Sequence, residues 1–306
     1  MGEEYSLIFE HYNKFEVKSE IVEFCKNRWV GIHCESRDDK GRKVLVRYFG
    51  AKKHPLKISS IKELEKVFSW LNKLKPRTVY ATVNIYNKLH YLEDLYDSSN
   101  ILACMPTWDI DNRLEDWNAT VKAAYEVISI LEANGVSKSF FIKFSGNGIH
   151  IHIHPYAISE DVRKKFNPLD LAWAISEYIK EKVSPKVLDI ALKLNAEKLK
   201  IENVIDPQRL FTAPLSIHRE KLRVIVCLNP NKIDSFSPLQ DASLKNFKHS
   251  FNWKEYVEGE ADELALKAYQ NIGFFPFKRR SRRKHPPLDK QVIKFVRKAD
   301  QMLSEK

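Results

Sequence analysis

The sequence predicts an α+β fold in which an antiparallel sheet is flanked by helices. Between residues 101 and 228, short apolar segments of β-prone residues alternate with longer segments of helical periodicity, in the order strand, helix, strand, strand, helix, strand. Residues 140–144 and 149–154 flank Ser145-Gly146-Asn147-Gly148, a turn sequence that can adopt positive φ and that predicts a hairpin. Because a hairpin joins antiparallel strands, we expect the surrounding sheet to be antiparallel.

The elements before residue 101 alternate between helix and strand. We expect a helix over residues 19–27, strands over 29–34 and 43–48, an amphipathic helix over 60–74 and a strand over 77–85. Within the amphipathic helix, apolar residues recur at helical spacing and predict its buried face, namely Leu64, Val67, Phe68 and Leu71.

The elements after residue 101 include the longest predicted helix, over residues 114–134, and Gly135 then suits its C-cap. Beyond the hairpin, a helix is expected over residues 172–182, and Ser184-Pro185 is expected to start another. The last apolar strand is predicted over residues 222–228, after which the pattern loosens.

Composition narrows the class of protein. The chain has 306 residues, of which 43% are hydrophobic, so it can bury a large core. It contains no run of 18 apolar residues, and its acidic N-terminus lacks the features of a secretory signal, which argues against a membrane or secreted protein. Four scattered cysteines favour a reducing, cytoplasmic setting. The net charge of +11 favours a polyanionic partner.

Two carboxylates follow an apolar strand in the segment Trp108-Asp109-Ile110-Asp111-Asn112. Residues two apart on a strand point to the same face, so Asp109 and Asp111 would project side by side. Unpaired carboxylates at this spacing repel each other, and a divalent cation removes that cost. The alternative is a solvated strand end or a helix N-cap, which acidic residues also favour.

The predicted hairpin supplies groups that suit a phosphate. Its turn could bring backbone N–H groups, the Ser145 hydroxyl and the His150 imidazole to one anion beside the carboxylate pair. His152 and His154 alternate with His150, so a three-histidine metal site is conceivable, but these two could equally line a polar sheet face.

A third segment, residues 204–218, carries Asp206, Arg209, Ser216 and His218. Asp206 could cap the turn before Pro207 or act as a further metal ligand. Arg209 suits a phosphate because its guanidinium is a planar fork of donors. Three carboxylates and two Ser/His pairs match the needs of two metal ions and a triphosphate in phosphoryl transfer.

In this order, the motifs resemble those of the archaeo-eukaryotic primase family, most nearly the small catalytic subunit of archaeal and eukaryotic DNA primase. That family carries an Asp-x-Asp strand, a Ser-Gly-x-x-Gly-x-His hairpin, and a later Asp followed by Arg-Leu and Pro-x-Ser-x-His. The matching residues here are Asp109, Asp111, Ser145, Gly148, His150, Asp206, Arg209, Leu210, Pro214, Ser216 and His218. Weaker similarity upstream includes a strand with an exposed arginine, Arg47.

The resemblance implies a primase-type fold. An RRM-like catalytic half over residues 101–235 would be joined to an N-terminal α/β half over residues 1–100, with residues 236–277 as a C-terminal extension packed on the core. It also implies a nucleotidyltransferase that makes short primers on single-stranded DNA from NTP or dNTP. A large primase subunit would be its partner.

The resemblance assigns roles to particular residues. Asp109, Asp111 and Asp206 would bind two Mg²⁺ or Mn²⁺ ions and carry catalysis. The nucleotide would be bound by Ser145, His150, Arg209, Ser216, His218 and Arg47.

The chain also departs from the family pattern. Its hairpin loop is one residue shorter, and Asn147 stands where the family carries Arg or Lys. Many primase small subunits hold a structural zinc ion, but the four cysteines here form no Cys-x-x-Cys, so no zinc site is evident. A stand-alone primase-polymerase, an end-joining or gap-filling repair polymerase, and a non-catalytic nucleic-acid-binding module therefore stay open as alternatives.

A basic tail is predicted over residues 278–306. It opens with a cluster of cations that could bind the template backbone without sequence preference, namely Lys278, Arg279, Arg280, Arg282, Arg283 and Lys284. A solvated extension is the alternative.

Overall fold

A computed structural model describes residues 3–276. The first part of the chain contains, in order, α1 (Glu3–Asn13), α2 (Phe15–Cys25), β1 (Val30–Arg37), β2 (Lys43–Val46), β3 (Tyr48–Phe49), β4 (His54–Pro55), α3 (Ile61–Trp70), β5 (Pro76–Thr82), β6 (Asn84–Tyr86) and β7 (Ile101–Cys104). The remaining part contains β8 (Thr107–Asp111), α4 (Trp117–Ala133), β9 (Phe140–Phe144), β10 (Ile149–Ile153), α5 (Glu160–Lys165), α6 (Pro168–Lys193), β11 (Lys200–Asn203), β12 (Leu210–Thr212), β13 (Cys227–Leu228) and α7 (Asp262–Ile272).

A four-stranded antiparallel sheet forms the N-terminal part, in the order β12-β5-β1-β2. Its edge strand β12 comes from residues 210–212, far along the chain, and pairs with β5. Helix α2 packs against β5 and α3. At the start of α3, Ser60 accepts a hydrogen bond from the Glu63 backbone, which satisfies one of the free N–H groups there.

A five-stranded antiparallel sheet, ordered β11-β8-β10-β9-β13, holds the second half together. Its first four strands follow the chain order β8-α4-β9-β10-α6-β11, and β8 and β10 lie in the middle with β11 and β9 outside them. This is the split βαβ arrangement of an RRM-like unit. The predicted α+β class, with an antiparallel sheet flanked by helices, is confirmed.

Two expected elements differ from those observed. The fourth strand of the RRM-like unit is β11, for which the sequence pattern predicted no strand. Of the strand predicted over residues 222–228, only residues 227–228 pair with β9. The α6 helix continues through Pro185 instead of restarting there. The Ser184 hydroxyl donates to the Lys180 carbonyl at 2.6 Å, which adds a bond in the turn where Pro185 lacks an N–H.

The core draws on both sheets, and residues up to Phe275 form one compact unit. All four cysteines are buried and unpaired. Among the described helices, none is both long and apolar enough to cross a bilayer. The basic cluster over 278–284 lies outside the described residues, and the proposed boundaries after residues 100, 235 and 277 remain predictions.

Candidate functional site

A row of polar residues crosses the five-stranded sheet on one face. The strand registers place Glu202 opposite Asp109, Asp109 opposite His150, and His150 opposite Lys143. Directly opposed residues in antiparallel strands share a face, so these side chains form one line. The sheet register therefore places the hairpin histidine His150 directly beside Asp109.

Asp109 is the most buried carboxylate of this row, with 7% of its surface exposed. His150 Nε2 lies 3.3 Å from its Oδ1, and Arg209 Nη2 lies 3.9 Å from its Oδ2. Burial alone would raise the pKa of Asp109, but the neighbouring His150 and Arg209 hold that pKa below its usual range. The buried Oδ1 accepts no hydrogen bond of good geometry, so it is available to a further ligand.

Asp111 lies two residues after Asp109 on the same face of β8, and it is partly exposed. Lys200 on the neighbouring strand β11 approaches Asp111 at 3.4 Å and Glu202 at 2.8 Å. Glu202 is thus a third carboxylate on this face, but Lys200 already neutralises much of its charge. The alternating pattern Lys200-Ile201-Glu202 was the signal in the sequence for this strand.

The hairpin turn packs tightly against the carboxylate strand. A Cβ atom on Gly148 would meet the Ile110 carbonyl oxygen at 2.0 Å, so only glycine fits there. Gly146 has φ of +109° and lies against the His218 ring, which a Cβ atom would meet at 2.4 Å. Within the turn, Ser145 Oγ accepts from the Gly148 backbone at 3.2 Å. The two glycines therefore bring His218 and Ser145 to the end of β8.

His218 is fixed as a neutral donor. Its Nδ1 accepts from the backbone N–H groups of Glu220 and Lys221, both at 3.1 Å. Burial, together with nearby cations such as Lys221 and Arg219, lowers the pKa of His218 to about 4. The proton is then on Nε2, which can donate to an anion in the cleft without carrying a charge itself.

Basic side chains from residues 219–223, to which the sequence analysis gave no role, lie near the hairpin turn. The Lys221 ammonium contacts the Asn147 side chain, and Arg223 Nη1 donates to the Gly146 carbonyl at 2.8 Å. Arg219 also lines the cleft. Asn147 stands where the primase motif that this hairpin resembles has a basic residue, and Lys221 supplies a positive charge at the same turn. The run of basic residues directly after His218 was the available signal.

These groups line an open cleft of about 440 Å³. Its other wall is the four-stranded sheet, which contributes neutral or apolar side chains, namely His33, Leu45, Tyr80, Leu210 and Thr212. Burial raises the pKa of Tyr80 to about 12, so its hydroxyl stays protonated. Six of the residues predicted for the site meet in this cleft, namely Asp109, Asp111, Ser145, His150, Arg209 and His218.

Three other predicted residues lie outside the lining of the cleft. Asp206 is exposed, and its Oδ1 accepts from the Gln208 backbone at 2.8 Å in the turn that leads to Arg209. Ser216 is fully buried and bonds the Tyr12 hydroxyl and the Val79 backbone. The Arg47 guanidinium stacks 3.5 Å from the centre of the Trp29 ring.

The remaining histidines and a buried lysine pack behind the site. His152 is fully buried against Phe141, with 4.7 Å between ring centres, and His154 stacks on Tyr256. Lys143 is also fully buried, and its Nζ donates to the Thr212 carbonyl at 2.9 Å. Burial lowers the pKa of Lys143 to about 7. Its hydrogen bond joins β9 to β12 and so ties the two sheets together beneath the cleft.

The carboxylates suit a divalent cation by their chemistry. Asp109 offers a buried Oδ1 that lies 3.3 Å from His150 Nε2 but accepts no hydrogen bond of good geometry, and Asp111 offers a second, partly exposed carboxylate on the same face. Mg²⁺ takes oxygen ligands, and one or two protein carboxylates with water and substrate phosphates complete its shell. Within residues 3–276, no three His, Cys, Asp or Glu side chains already converge on one point. Asp109 and Asp111 therefore fit as the protein's share of such a site.

Comparison with solved structures gives the same fold. The polymerase domain of Mycobacterium tuberculosis ligase D, solved in complex with DNA, matches with a TM-score of 0.50 and 12% identity, over 89% of this chain and 90% of that chain. The archaeo-eukaryotic primase-type domain of the cyanophage S-2L primase-polymerase matches with a TM-score of 0.30 and 13% identity, over 75% and 96%. No family model and no curated protein matches the sequence. The chain thus shares the fold of the ligase D polymerase domain.

Proposed function

We propose that this protein is a DNA-directed nucleotidyltransferase of the primase-polymerase kind. The observation that carries the proposal is that a carboxylate pair, of which Asp109 is buried and Asp111 is partly exposed, meets candidate phosphate-binding groups in one cleft. Asp109 and Asp111 lie on one strand face, while Ser145, His218 and Arg209 surround them. Carboxylates beside anion-binding groups would repel a bare phosphate, so the combination suits a nucleotide that arrives with divalent metal.

Different residues of the cleft would bind the triphosphate and the nucleoside of the substrate. The neutral Nε2–H of His218, the Ser145 hydroxyl and the Arg209 guanidinium would bind the triphosphate. The nucleoside would lie toward the four-stranded sheet, where Tyr80 and Leu45 offer neutral contact area. His150, held between Asp109 and the ring of Phe211 at 5.2 Å, would orient the carboxylate and meet the phosphates.

In the proposed reaction a 3′-hydroxyl oxygen forms a bond to the α-phosphorus of an NTP or dNTP. The bond from that phosphorus to the bridging oxygen breaks, pyrophosphate leaves, and the hydroxyl proton passes to solvent. Asp109 and Asp111, with Asp206 as the proposed third ligand, would hold two Mg²⁺ or Mn²⁺ ions. When bound, these ions neutralise the phosphate charge and lower the pKa of the attacking hydroxyl.

Asp206 stays in this proposal because of its loop. The turn that it caps carries Arg209, whose guanidinium reaches within 3.9 Å of Asp109. Ser216 and Arg47 would act on the nucleotide less directly. The Ser216 hydroxyl fixes the segment before His218 by accepting from Val79, and Arg47 donates to the Gln208 carbonyl at 2.9 Å.

Within this class we propose the role of a primer-synthesising small subunit with a large primase subunit as its partner. Single-stranded DNA would be the template, and residues 278–284 would add backbone contacts. The experiment supplies unprimed single-stranded DNA and labelled NTPs or dNTPs with Mg²⁺ or Mn²⁺. Products on unprimed template support primer synthesis, whereas products only on a primed or broken duplex support the repair polymerase alternative.

Substitution of the carboxylate links activity to the site. Asp109→Ala should reduce incorporation by about two or more orders of magnitude, because it removes charge stabilisation carried by the metal, while template binding survives. Asp39→Asn, at an exposed carboxylate in the β1–β2 turn, is the matched control and should retain activity. Activity close to wild type in Asp109→Ala would rule out this site as the catalytic centre.

A further inference from the structure

Exposed aromatic rings lie on the β3–β4 hairpin and in the loop after β6. Building on the proposed function, we propose that these rings form a stacking surface for the bases of single-stranded nucleic acid. We name it the aromatic strip and define it as Phe49, His54, Tyr91 and Tyr96. Stacking of successive bases on aromatic side chains is the usual way in which proteins hold single strands without sequence preference.

The rings of Phe49, His54 and Tyr91 lie next to one another, and Tyr96 follows five residues after Tyr91 in the same loop. The centres of the Phe49 and His54 rings are 5.4 Å apart, and those of His54 and Tyr91 are 5.9 Å apart. The exposed fractions are 43% for Phe49, 61% for Tyr91 and 64% for Tyr96, although large aromatic rings are usually buried. Neighbouring exposed rings of this kind indicate a binding surface.

The two segments that carry the strip are held in place. His54 Nδ1 donates to the His90 carbonyl at 2.8 Å, which ties the hairpin to the loop. The Asp94 carboxylate accepts from the backbone N–H groups of His90 and Tyr91, at 2.7 and 2.9 Å. The rings therefore require little ordering when a ligand binds, which reduces the entropic cost of binding.

The strip begins where the wall of the cleft ends. Leu45 and Leu210 line the cleft, and their side chains, with that of Arg47, surround Gly31. Arg47 is followed directly by Tyr48 and Phe49 of β3. A strand whose end pairs with an incoming nucleotide in the cleft could thus continue over Arg47 onto the rings.

The charge of the hairpin favours a polyanion. Residues 47–57 contain Arg47, Lys52, Lys53 and Lys57 and no acidic residue, and both turn lysines are exposed. The neighbouring loop carries three carboxylates, Glu93, Asp94 and Asp97, of which Asp94 accepts from the His90 and Tyr91 backbones. A basic segment interleaved with exposed rings is the combination that binds both the phosphates and the bases of a single strand.

The test measures binding by the full chain with EDTA and without nucleotide, so that catalysis does not enter. The probes are a short fluorescent oligothymidylate and an abasic strand with the same number of phosphates. The double variant Phe49→Ala/Tyr91→Ala should weaken binding of oligothymidylate about tenfold and leave binding of the abasic strand unchanged. Phe15→Ala removes an aromatic ring that is 75% exposed on α2 and should change neither.

A second variant separates charge from stacking. Lys52→Ala/Lys53→Ala should weaken binding of both strands and reduce the salt slope by about 1 to 1.5, as loss of two phosphate contacts on a single strand predicts. If the aromatic variant binds oligothymidylate as the wild type does, or loses both strands equally, the stacking surface is refuted. Failure of the proposed function would appear elsewhere, as a wild-type chain that shows this binding pattern but incorporates no nucleotide.

Discussion

The two sheets that border the cleft carry different kinds of side chain on the faces that meet there. The five-stranded sheet presents a row of ionisable groups, in which the strand register fixes Glu202, Asp109, His150 and Lys143 side by side. The four-stranded sheet presents neutral or apolar groups, among them Tyr80 and Leu45. Ionisable groups that lie this close shift each other's pKa. The neutral face instead offers contact area that a ligand can cover with little electrostatic cost of desolvation.

Because the two faces differ in charge, substitutions on them should change different kinetic quantities. Changes on the five-stranded sheet should alter turnover or the dependence on pH, because its groups meet charge that develops during the reaction. Changes on the four-stranded sheet should alter substrate affinity with turnover kept, because its contacts are the same in ground state and transition state. The predictions test this division at the two sheets and at the loops between them.

The largest effect is expected at the third carboxylate. Asp206→Asn should lower turnover on the order of 100-fold, because it removes the charge of the proposed third metal ligand. The Asp206 carboxylate is exposed and accepts from the Gln208 backbone, so it can bind a metal ion without first breaking an ion pair. Glu202→Gln should lower turnover only a few-fold, because Lys200 at 2.8 Å already neutralises that carboxylate. Steady-state incorporation rates decide between them. The reverse ranking would move the third metal ligand from the loop onto β11.

The next effect concerns the buried lysine behind the row. Burial lowers the pKa of Lys143 to about 7, so between pH 7 and its unfolded value near 10.5 the unfolded chain binds more protons than the folded chain. Stability from this group therefore rises with pH, by about 2 kcal/mol between pH 7 and 9. Lys143→Met should remove that rise.

Urea denaturation of wild type and Lys143→Met at pH 7, 8 and 9 measures the difference in free energy of unfolding. Taking the difference between the two proteins cancels the titration of all other groups. If the difference in free energy of unfolding is the same at all three pH values, Lys143 keeps its proton in the folded chain. Its hydrogen bond to Thr212 is then donated by an ammonium ion.

A smaller effect is expected for His218. His218→Ala should raise the dissociation constant of the nucleotide about tenfold, the usual order for one hydrogen bond to a charged group. Because burial and nearby cations lower the pKa of His218 to about 4, its folded form is neutral throughout pH 6 to 8. The ratio of the mutant to the wild-type dissociation constant should therefore stay constant over that range in fluorescence titrations. A ratio that falls as the pH rises would show a protonated imidazolium instead.

The sequence was sufficient for the features that depend on local pattern. The Asp-x-Asp strand, the Gly-rich hairpin and the two long helices have strong periodicity, and the glycines at 146 and 148 are required by contacts that the motif encodes. The α+β class is confirmed for this reason. The strand β11 was missed because it has only four residues and one buried apolar side chain, Ile201.

Other features depend on contacts between distant segments and could not be predicted. The joining of β12 to β5 brings residues 210–212 into a sheet formed by the first hundred residues. The burial of Ser216 by Tyr12, and the approach of Lys221 to Asn147, each join segments more than 70 positions apart. Spacing along the chain carries no signal for such pairs, so the burial of Ser216 and the contact of Lys221 with the hairpin turn are visible only in the structure.

The smallest effect is expected on the neutral wall. Tyr80 lines the cleft with a hydroxyl that stays protonated, since burial raises its pKa to about 12. Tyr80→Phe keeps the ring and removes one donor, so the KM for nucleotide should rise about threefold, within the range for one neutral hydrogen bond. The kcat should be unchanged, because this contact lies away from the charge that develops at the phosphorus. An equal fall in kcat and kcat/KM would show that the hydroxyl acts in the transition state, and the two sheets would then not divide the substrate as proposed.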